Sequence, residues 1–584
     1  MSSSTNNPGP PPRYRSTRSS SVFRTGLQRF ERPVFDYPAK FSPCRAACPA
    51  AHDIALAMLL AASDRFDLAF DLFRQESPFP GITGRVCYHP CEAQCNRAEY
   101  DDAIAINALE RALDAYGASP SAPAQVCHPE TVGVVGAGPA GLTCAYHLAR
   151  LGYAVTVYDA NPSPGGMLAY GIPEYRLPSE VVARAVEDLQ ALGVAFRCGV
   201  RVGQDIPFAE LRHRHEALFL APGLQRPSPL KPCLDLPEQR SLPGLEFLRR
   251  VRQNGRVDLS GATVLVIGGG DVAVDAARTA LRAGAASVTI CCPESRDEMP
   301  AHPQEIRAAL SEGIAVANCI APEGGRISGS RIALSFRAVE AVKRGDGAVS
   351  FALSDEPPTD RLADHVIYAV GQQPDLGFLP EELRCGPRIE CGPFGQTGVA
   401  GVFAGGDAAG TYNVVNAIGS AKRAAIGIDA YLRGTSLDGI EAHIAVGPGG
   451  PVSMQAYIDL RSGLSVTPAA TKIGLGQINL SYFSHSARCQ LPVAENAQAD
   501  FREVNLTLQR LAARAEASRC FNCGLCNMCG NCFAFCPDSA VIRRDGWGFR
   551  VDLDHCKGCG VCVEECPRGA MSMIPEGKAA SHGD

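Results

Sequence analysis

Thr131–Ala160 reads TVGVVGAGPAGLTCAYHLARLGYAVTVYDA, and the order of its parts decides the fold. An apolar strand over Val132–Val135 runs into Gly136-x-Gly138-x-x-Gly141. A helical stretch opens on Pro139 and Ala140, and a second strand, Ala154–Tyr158, ends at Asp159. Each part has a physical job in holding a dinucleotide. Gly136 permits a tight turn, Gly138 lets the backbone approach a pyrophosphate, and Gly141 lets the helix pack on the strand. The free N–H groups that open the helix face the phosphates. Asp159 stands where a carboxylate accepts hydrogen bonds from a ribose diol. A bare G-x-G-x-x-G is a weak signal; here strand, turn, helix, strand and acid follow at the right distances.

The pattern recurs from Ala262, ATVLVIGGGDVAVDAARTALRAGAASVTICCPE. Val264–Ile267 is its strand, Gly268-x-Gly270-x-x-Ala273 its turn, with Asp271 and Val272 inside it, and Ser287–Cys291 the next strand. Two such folds in one chain point to two dinucleotides, FAD and NAD(P)H. Two later stretches fit that plan. DHVIYAVGQQPD, Asp364–Asp375, is an apolar strand entering a turn at Gly371; TGVAGVFAGGDAAG, Thr397–Gly410, is a strand ending in Gly406-Asp407, where a carboxylate meets a cofactor hydroxyl.

Ten of the 25 cysteines fall in two runs near the C-terminus. One is Cys520-x2-Cys523-x2-Cys526-x2-Cys529-x2-Cys532-x3-Cys536-Pro537; the other is Cys556-x2-Cys559-x2-Cys562-x3-Cys566-Pro567. Two copies of C-x2-C-x2-C-x3-C-P hold two [4Fe–4S] clusters, the cysteine before each proline crossing to the other cluster. The expected sets are Cys526, Cys529, Cys532 and Cys566, and Cys556, Cys559, Cys562 and Cys536. Zinc sites come as separated C-x2-C pairs, so they fit less well. Cys520 and Cys523 are surplus to two cubanes, and the spacing leaves their role open.

The remaining composition sets bounds. With 584 residues, 46% hydrophobic and 20% charged, the chain suits several globular domains. A net charge of −6 argues against nucleic-acid binding. No run of about 18 apolar residues exists, so no membrane span is expected. Thiols in Fe–S spacing with no export signal indicate a reducing cytoplasm. The expected division is a disordered tail at 1–38, a helical Fe–S domain at 39–125, FAD-domain halves at 126–258 and 373–434, and an NAD(P) domain at 259–372. A loop-rich linker follows at 435–518, with a helix from about 501 to 518, then a ferredoxin-like domain at 519–584. The near balance of acids and bases in that last domain suits a fixed interface or an intramolecular relay.

The middle of the chain resembles the glutamate synthase small-subunit family. The stretch PGGMLAYGIPEYRLP, Pro164–Pro178, which contains Gly165, Gly166, Met167 and Leu168, matches that family's signature near the flavin, and SRDEMPA, Ser295–Ala301, matches the stretch after its nicotinamide strand. ALFLAPG, Ala217–Gly223, is similar to the crossover of such flavoproteins. The resemblance covers roughly residues 43–432. It implies an α/β two-dinucleotide flavoprotein, the NAD(P) domain inserted into the FAD domain, flanked by an all-α Fe–S domain and an α+β ferredoxin. The appended ferredoxin is similar to flavoprotein subunits that serve sulfite reductase or 2-oxoacid:ferredoxin oxidoreductases.

The resemblance also implies an N-terminal cluster site at Cys44, Cys48, Cys87, Cys91 and Cys95. The two-cluster version of the family carries two further cysteines before the position of Cys44, and these are absent. One N-terminal cluster is therefore expected, on Cys48, Cys87 and Cys91, with Cys95, Cys44 or Glu110 as the fourth ligand. Three cubanes correspond to about twelve irons, with one FAD. Family members that use NADPH carry paired arginines where this chain has Pro293 and Glu294. A carboxylate there favours a 2′-hydroxyl over a 2′-phosphate, so NADH is expected, with Arg296 as a competing contact. The cofactors carry the chemistry, so no acid–base residue is required.

The reading is an NAD(P)H-dependent Fe–S flavoprotein oxidoreductase exchanging electrons with a partner. Candidate partners are a 2-oxoacid:ferredoxin oxidoreductase, a sulfite reductase-type complex, a ferredoxin or a glutamate synthase large subunit. The alternatives are glutamate synthase small subunit proper and a non-catalytic electron-transfer scaffold. A thiol reductase fits poorly, since Cys144 has no close partner and Cys291 and Cys292 are adjacent. His52, His89 and His302 read as surface or loop residues.

Overall fold

The computed structural model describes residues 31–35, 40–234, 236–254, 257–344, 349–384 and 386–575. Two five-stranded parallel sheets form its centre. In the first the order is Val402–Ala404, Ala217–Leu220, Thr131–Val135, Ala154–Asp159, Ala195–Cys198. In the second it is Ala315–Ala317, Ser287–Cys291, Thr263–Ile267, His365–Tyr368, Ser241–Pro243. Both faces are covered, in the second sheet by helices on one side and by Ile332, Leu334 and Phe336 of an antiparallel strand on the other, which is why the strands read as unbroken apolar runs; Ala217–Leu220 is buried throughout. Each glycine turn lies where its first strand meets its first helix, Pro139–Arg150 or Asp271–Arg282.

The second sheet takes its edge strand from Ser241–Pro243, which pairs with His365–Tyr368. The nucleotide unit thus begins before residue 259, the boundary expected from sequence, because a three-residue strand carries too little periodicity to read. An antiparallel sheet is inserted before the strand His365–Tyr368; in it the long strand Arg331–Arg344 pairs with Ile320–Ser328, Val349–Leu353 and Thr359–Ala363.

The N-terminal domain is helical, with Ile54–Ala62, Phe66–Arg74, Pro80–Val86 and Ile106–Gly117. It is tied to the FAD domain by a buried ion pair. Lys422, on the helix Val414–Leu432, donates to Glu76 Oε2 at 2.6 Å and to the Ala50 carbonyl at 2.5 Å.

Two expectations are corrected. The tail at 1–38 is not wholly without structure, because Glu31–Phe35 pairs antiparallel with Met571–Pro575 of the ferredoxin-like domain; residues 1–30 lie outside the described residues. The segment 435–518 is not a loose linker. It carries the helix Met454–Arg461 and packs on the helical domain, where Glu503 bridges Arg85 at 2.8 Å and Arg111 at 3.1 Å. Its last helix is Arg510–Ser518, shorter than expected. The Val504 amide bonds the Tyr175 carbonyl at 2.9 Å and the Val504 carbonyl accepts from Ala494, which holds the chain before that helix extended.

The ferredoxin-like domain pairs Val541–Arg543 with Phe549–Val551 and is docked on the rest of the chain. Lys40 donates to the Gly569 carbonyl at 2.8 Å, and Asn479 Nδ2 to the Glu564 carbonyl at 2.7 Å.

Candidate functional site

The first glycine turn is built as its spacing predicts. Gly136 has φ +101°, and a Cβ there would meet the Ala221 carbonyl oxygen at 2.2 Å. Asp159 Oδ2 accepts from the Ala137 amide at 2.7 Å, so the acid stands directly over the turn. Gly136, Asp159, Asn161, Arg201, Arg226 and Arg249 line a cleft of about 500 Å³, with the size and cationic rim that an adenosine diphosphate moiety needs. On the other side of the turn the Gly165 amide donates to the Ala137 carbonyl at 2.8 Å. The short helix Met167–Tyr170, with Leu168 buried, follows Gly166. Gly406 comes against Ala140, so the Gly406-Asp407 turn faces the start of the helix Pro139–Arg150. Burial pushes the Asp407 carboxyl up to about 6. Phosphate-facing amides, the acid over the turn and a half-buried carboxylate at the opposite end form a donor and acceptor set that fits FAD.

The second turn repeats this geometry. Gly268 has φ +134° and a Cβ there would meet the Ala369 carbonyl oxygen at 2.4 Å. Gly270 caps the helix and Ala273 is buried. Glu294 is only 5% exposed, and a Cβ on Gly269 would meet its Oε2 at 2.8 Å. Glu294 and Asp159 thus reach the same middle residue of their respective turns. Arg296 is exposed, with Nε 3.4 Å from Asn318 Oδ1. Asp271 accepts from the His302 amide at 2.9 Å and so anchors the loop beside the turn; Val272 follows it on the helix. Gly371, at φ +114°, leads into Gln372–Gln373, which pairs with Arg226–Pro227 where the two nucleotide domains meet.

The C-terminal cysteines gather around two small cavities. Cys526, Cys529, Cys532 and Cys566 line one; Cys536, Cys556, Cys559 and Cys562 line another, together with Pro33 from the N-terminal strand. Each cavity therefore draws three thiols from one run and the pre-proline thiol from the other. Burial pushes Cys532 and Cys562 up to about 12, which metal binding would reverse by taking the thiolate.

A third cavity is lined by Cys48, Cys87, Cys91, Glu110 and His52, with Val415 of the FAD-domain helix on its wall. Glu110 is buried, receives the Thr83 hydroxyl, and is pushed by burial up to about 8. Three thiols and one carboxyl form a donor set for a cubane. Cys44 and Cys95, the other candidates for the fourth position, lie off this cavity, so Glu110 is the residue the geometry favours. His52, read from sequence as a surface or loop residue, is buried. Its ring stacks on Phe73 at 4.2 Å, and its Nδ1 is 3.8 Å from Cys48 Sγ. Burial pushes it down to about 3. Its position four residues after Cys48 was the available signal. Cys144 is fully buried on the first helix of the FAD domain.

Among the described residues no helix is long and apolar enough to cross a membrane. Residues 130–425 match the pyridine nucleotide-disulphide oxidoreductase family, 38–119 the dihydropyrimidine dehydrogenase domain II, 4Fe-4S cluster family, and 549–572 a 4Fe-4S binding domain. The chain is 35% identical to the NADP(+)-dependent formate dehydrogenase subunit beta of Moorella thermoacetica, over 83% of this chain and 71% of that protein. It is 36% identical to the NADPH-Fe(3+) oxidoreductase subunit beta of Geobacter sulfurreducens, over 67% and 64%. It is 33% identical to the glutamate synthase [NADPH] small chain of Azospirillum brasilense, over 69% and 88%.

Proposed function

Because the chain belongs to the iron–sulfur flavoprotein oxidoreductases related to the glutamate synthase small chain, within the pyridine nucleotide-disulphide oxidoreductase family, we propose that it exchanges electrons between NADH and a partner redox protein. FAD would accept hydride, and [4Fe–4S] clusters would store and pass single electrons. The protein's part is positional. The amides at the start of Pro139–Arg150 and the Asp159 carboxylate orient the FAD diphosphate and ribose. Gly268, Gly270 and the first turn of Asp271–Arg282 do the same for the nicotinamide nucleotide. Cys48, Cys87, Cys91 and Glu110 would hold the cluster nearest the flavin domain, since Val415 lies on both. The two ferredoxin sites would carry electrons to or from the partner.

The preference for NADH is carried by one observation. Glu294 stands over Gly269 as Asp159 stands over Ala137, so a carboxylate occupies the place where a 2′-phosphate would need a cation. The named relatives that use NADPH or NADP(+) make this a departure within the family. Steady-state kcat/KM with both nucleotides tests it, and a higher value with NADPH refutes it. The partner belongs to the class of multi-subunit oxidoreductases, as the subunit names of two of the relatives suggest. Glutamate synthase small subunit proper is the second reading, and the appended ferredoxin-like domain counts against it. Co-purification from the native source, followed by assay of the associated subunit, distinguishes these.

A further inference from the structure

We infer that Cys44, Cys95, Cys520 and Cys523 form a fourth [4Fe–4S] site, shared between the two ends of the chain. The four thiols come from three segments and meet at one place. Cys44, Cys95 and Cys520 pack in one buried cluster, and Asn96, the residue after Cys95, reaches the sulfur of Cys523. A Cβ on Gly524, the residue after Cys523, would meet Lys40 Cβ at 3.1 Å, so the chain leading to Cys44 lies against the same loop.

The loop that carries the last two thiols has the backbone of a metal-binding loop. Asn522, the residue before Cys523, has φ +48° and turns its amide to Cys520 Sγ at 3.3 Å. The same arrangement recurs at the sites already described. Gly558, before Cys559, has φ +73° with its amide 3.4 Å from Cys556 Sγ; Met528, before Cys529, has φ +62°; His89 has φ +39° with its amide 3.2 Å from Cys87 Sγ. A left-handed conformation is costly for a residue with a side chain, and more so for Met than for Asn or His. In each loop it aims an N–H at a sulfur that carries charge only as a thiolate.

The surroundings hold this loop in place. Asn522 Nδ2 donates to the Ala55 carbonyl at 2.7 Å, and Asn96 Nδ2 lies 3.3 Å from Cys523 Sγ. Arg568, two residues after Cys566 of the neighbouring ferredoxin site, donates to the Phe521 carbonyl and to Asn522 Oδ1, both at 2.6 Å. Among the described residues no three Cys, His, Asp or Glu side chains meet at single-ion spacing. That holds equally for the two ferredoxin sites, and a cubane spreads its four thiolates wider than one zinc ion does.

Position gives the site a role. Cys523 and Cys526 are three residues apart, which limits the separation of their Cα atoms to about 10 Å. Cys44 lies within the helix Pro43–Ala47 and Cys48 caps its end, four residues and about 6 Å of rise apart. The site therefore lies between the cluster position next to the flavin domain and the first ferredoxin position. It supplies the two ligands that the missing N-terminal cysteines would otherwise provide.

The test uses full-length protein prepared without oxygen. Native mass spectrometry of the unaltered chain reads bound iron and sulfide without any variant, and about sixteen of each are expected. Cys520→Ser with Cys523→Ser, and separately Cys44→Ser, should each lose about four irons and the same electron paramagnetic resonance component of the reduced protein, with FAD content retained. About twelve irons in the unaltered chain, zinc at this site, or a Cys520–Cys523 disulfide in fully loaded protein would each overturn the inference. Twelve irons with a flavin that NADH bleaches would do so while leaving the proposed function standing.

Discussion

Replacing Lys422 with Met should loosen the helical Fe–S domain from the flavin domain. Lys422 is fully buried, and its ammonium donates to Glu76 Oε2 and the Ala50 carbonyl. Burial alone would raise the Glu76 carboxyl, but Lys422, the Ser453 hydroxyl and the Met454 amide outweigh it and hold it below the usual carboxylate range. Removing the lysine leaves a carboxylate that is 4% exposed and has lost its counter-charge. Breaking a buried pair from one side costs about 3–5 kcal/mol. Three donors remain on Glu76, from Ser453, Met454 and Gln455. The lower end, about 3 kcal/mol, is therefore expected.

Glu76→Gln with Lys422→Met keeps an acceptor for those donors and removes both charges, so the pair should cost about 1 kcal/mol. The assay is urea-induced flavin release followed by fluorescence at pH 7, analysed as a double-mutant cycle. A coupling energy near zero, with the single variants simply adding, would refute the view that the three segments share one charge network.

Flavin-stripped protein should show the effect of Asp407. Its carboxyl titrates near 6 in the folded chain against 3.8 for a free side chain, so the folded state binds the proton more tightly. The associated stability is complete below pH 3.8 and lost as pH rises through about 6. Asp407→Asn should thus stabilise the apoprotein above pH 6, by up to about 3 kcal/mol, and have no such effect near pH 4; thermal denaturation across that range checks it. Glu294→Gln should raise kcat/KM for NADPH about tenfold, equivalent to about 1.4 kcal/mol, and lower it for NADH. Because Cys566 lines the cavity of Cys526 and Cys536 that of Cys556, Cys566→Ser and Cys526→Ser should remove one and the same paramagnetic component, and Cys536→Ser should remove a different one.

The parts legible from sequence were those whose chemistry is written locally. Gly136 to Asp159 and Gly268 to Cys291 each put strand, turn and helix within one continuous stretch, and the two cysteine runs carry their cubane pairing in their own spacing. What could not be read depends on distant segments meeting. Asn96 and Cys523 are in contact across 427 positions, and no periodicity announces such a pairing. The five N-terminal cysteines alone suggest one cluster, and the two ligands inferred above for a second would arrive from the other end of the chain. That Glu110 and not Cys95 lines the cavity of Cys48, Cys87 and Cys91 depends on the direction of the helix Ile106–Gly117. The strap over 435–518 looked loop-like because its Gly and Pro shape turns, while its grip comes from single side chains such as Glu503, bridged to Arg85 and Arg111.

The central claim is that one chain joins a two-electron nucleotide site to one-electron centres through its flavin domain. Anaerobic stopped-flow mixing with NADH, with parallel freeze-quenched paramagnetic resonance, tests it most directly. Flavin absorbance should bleach first, and reduced-cluster signals should then grow at a rate independent of protein concentration and be missing from flavin-stripped protein. A flavin that neither NADH nor NADPH bleaches, or cluster reduction that proceeds equally well without flavin, would contradict the account.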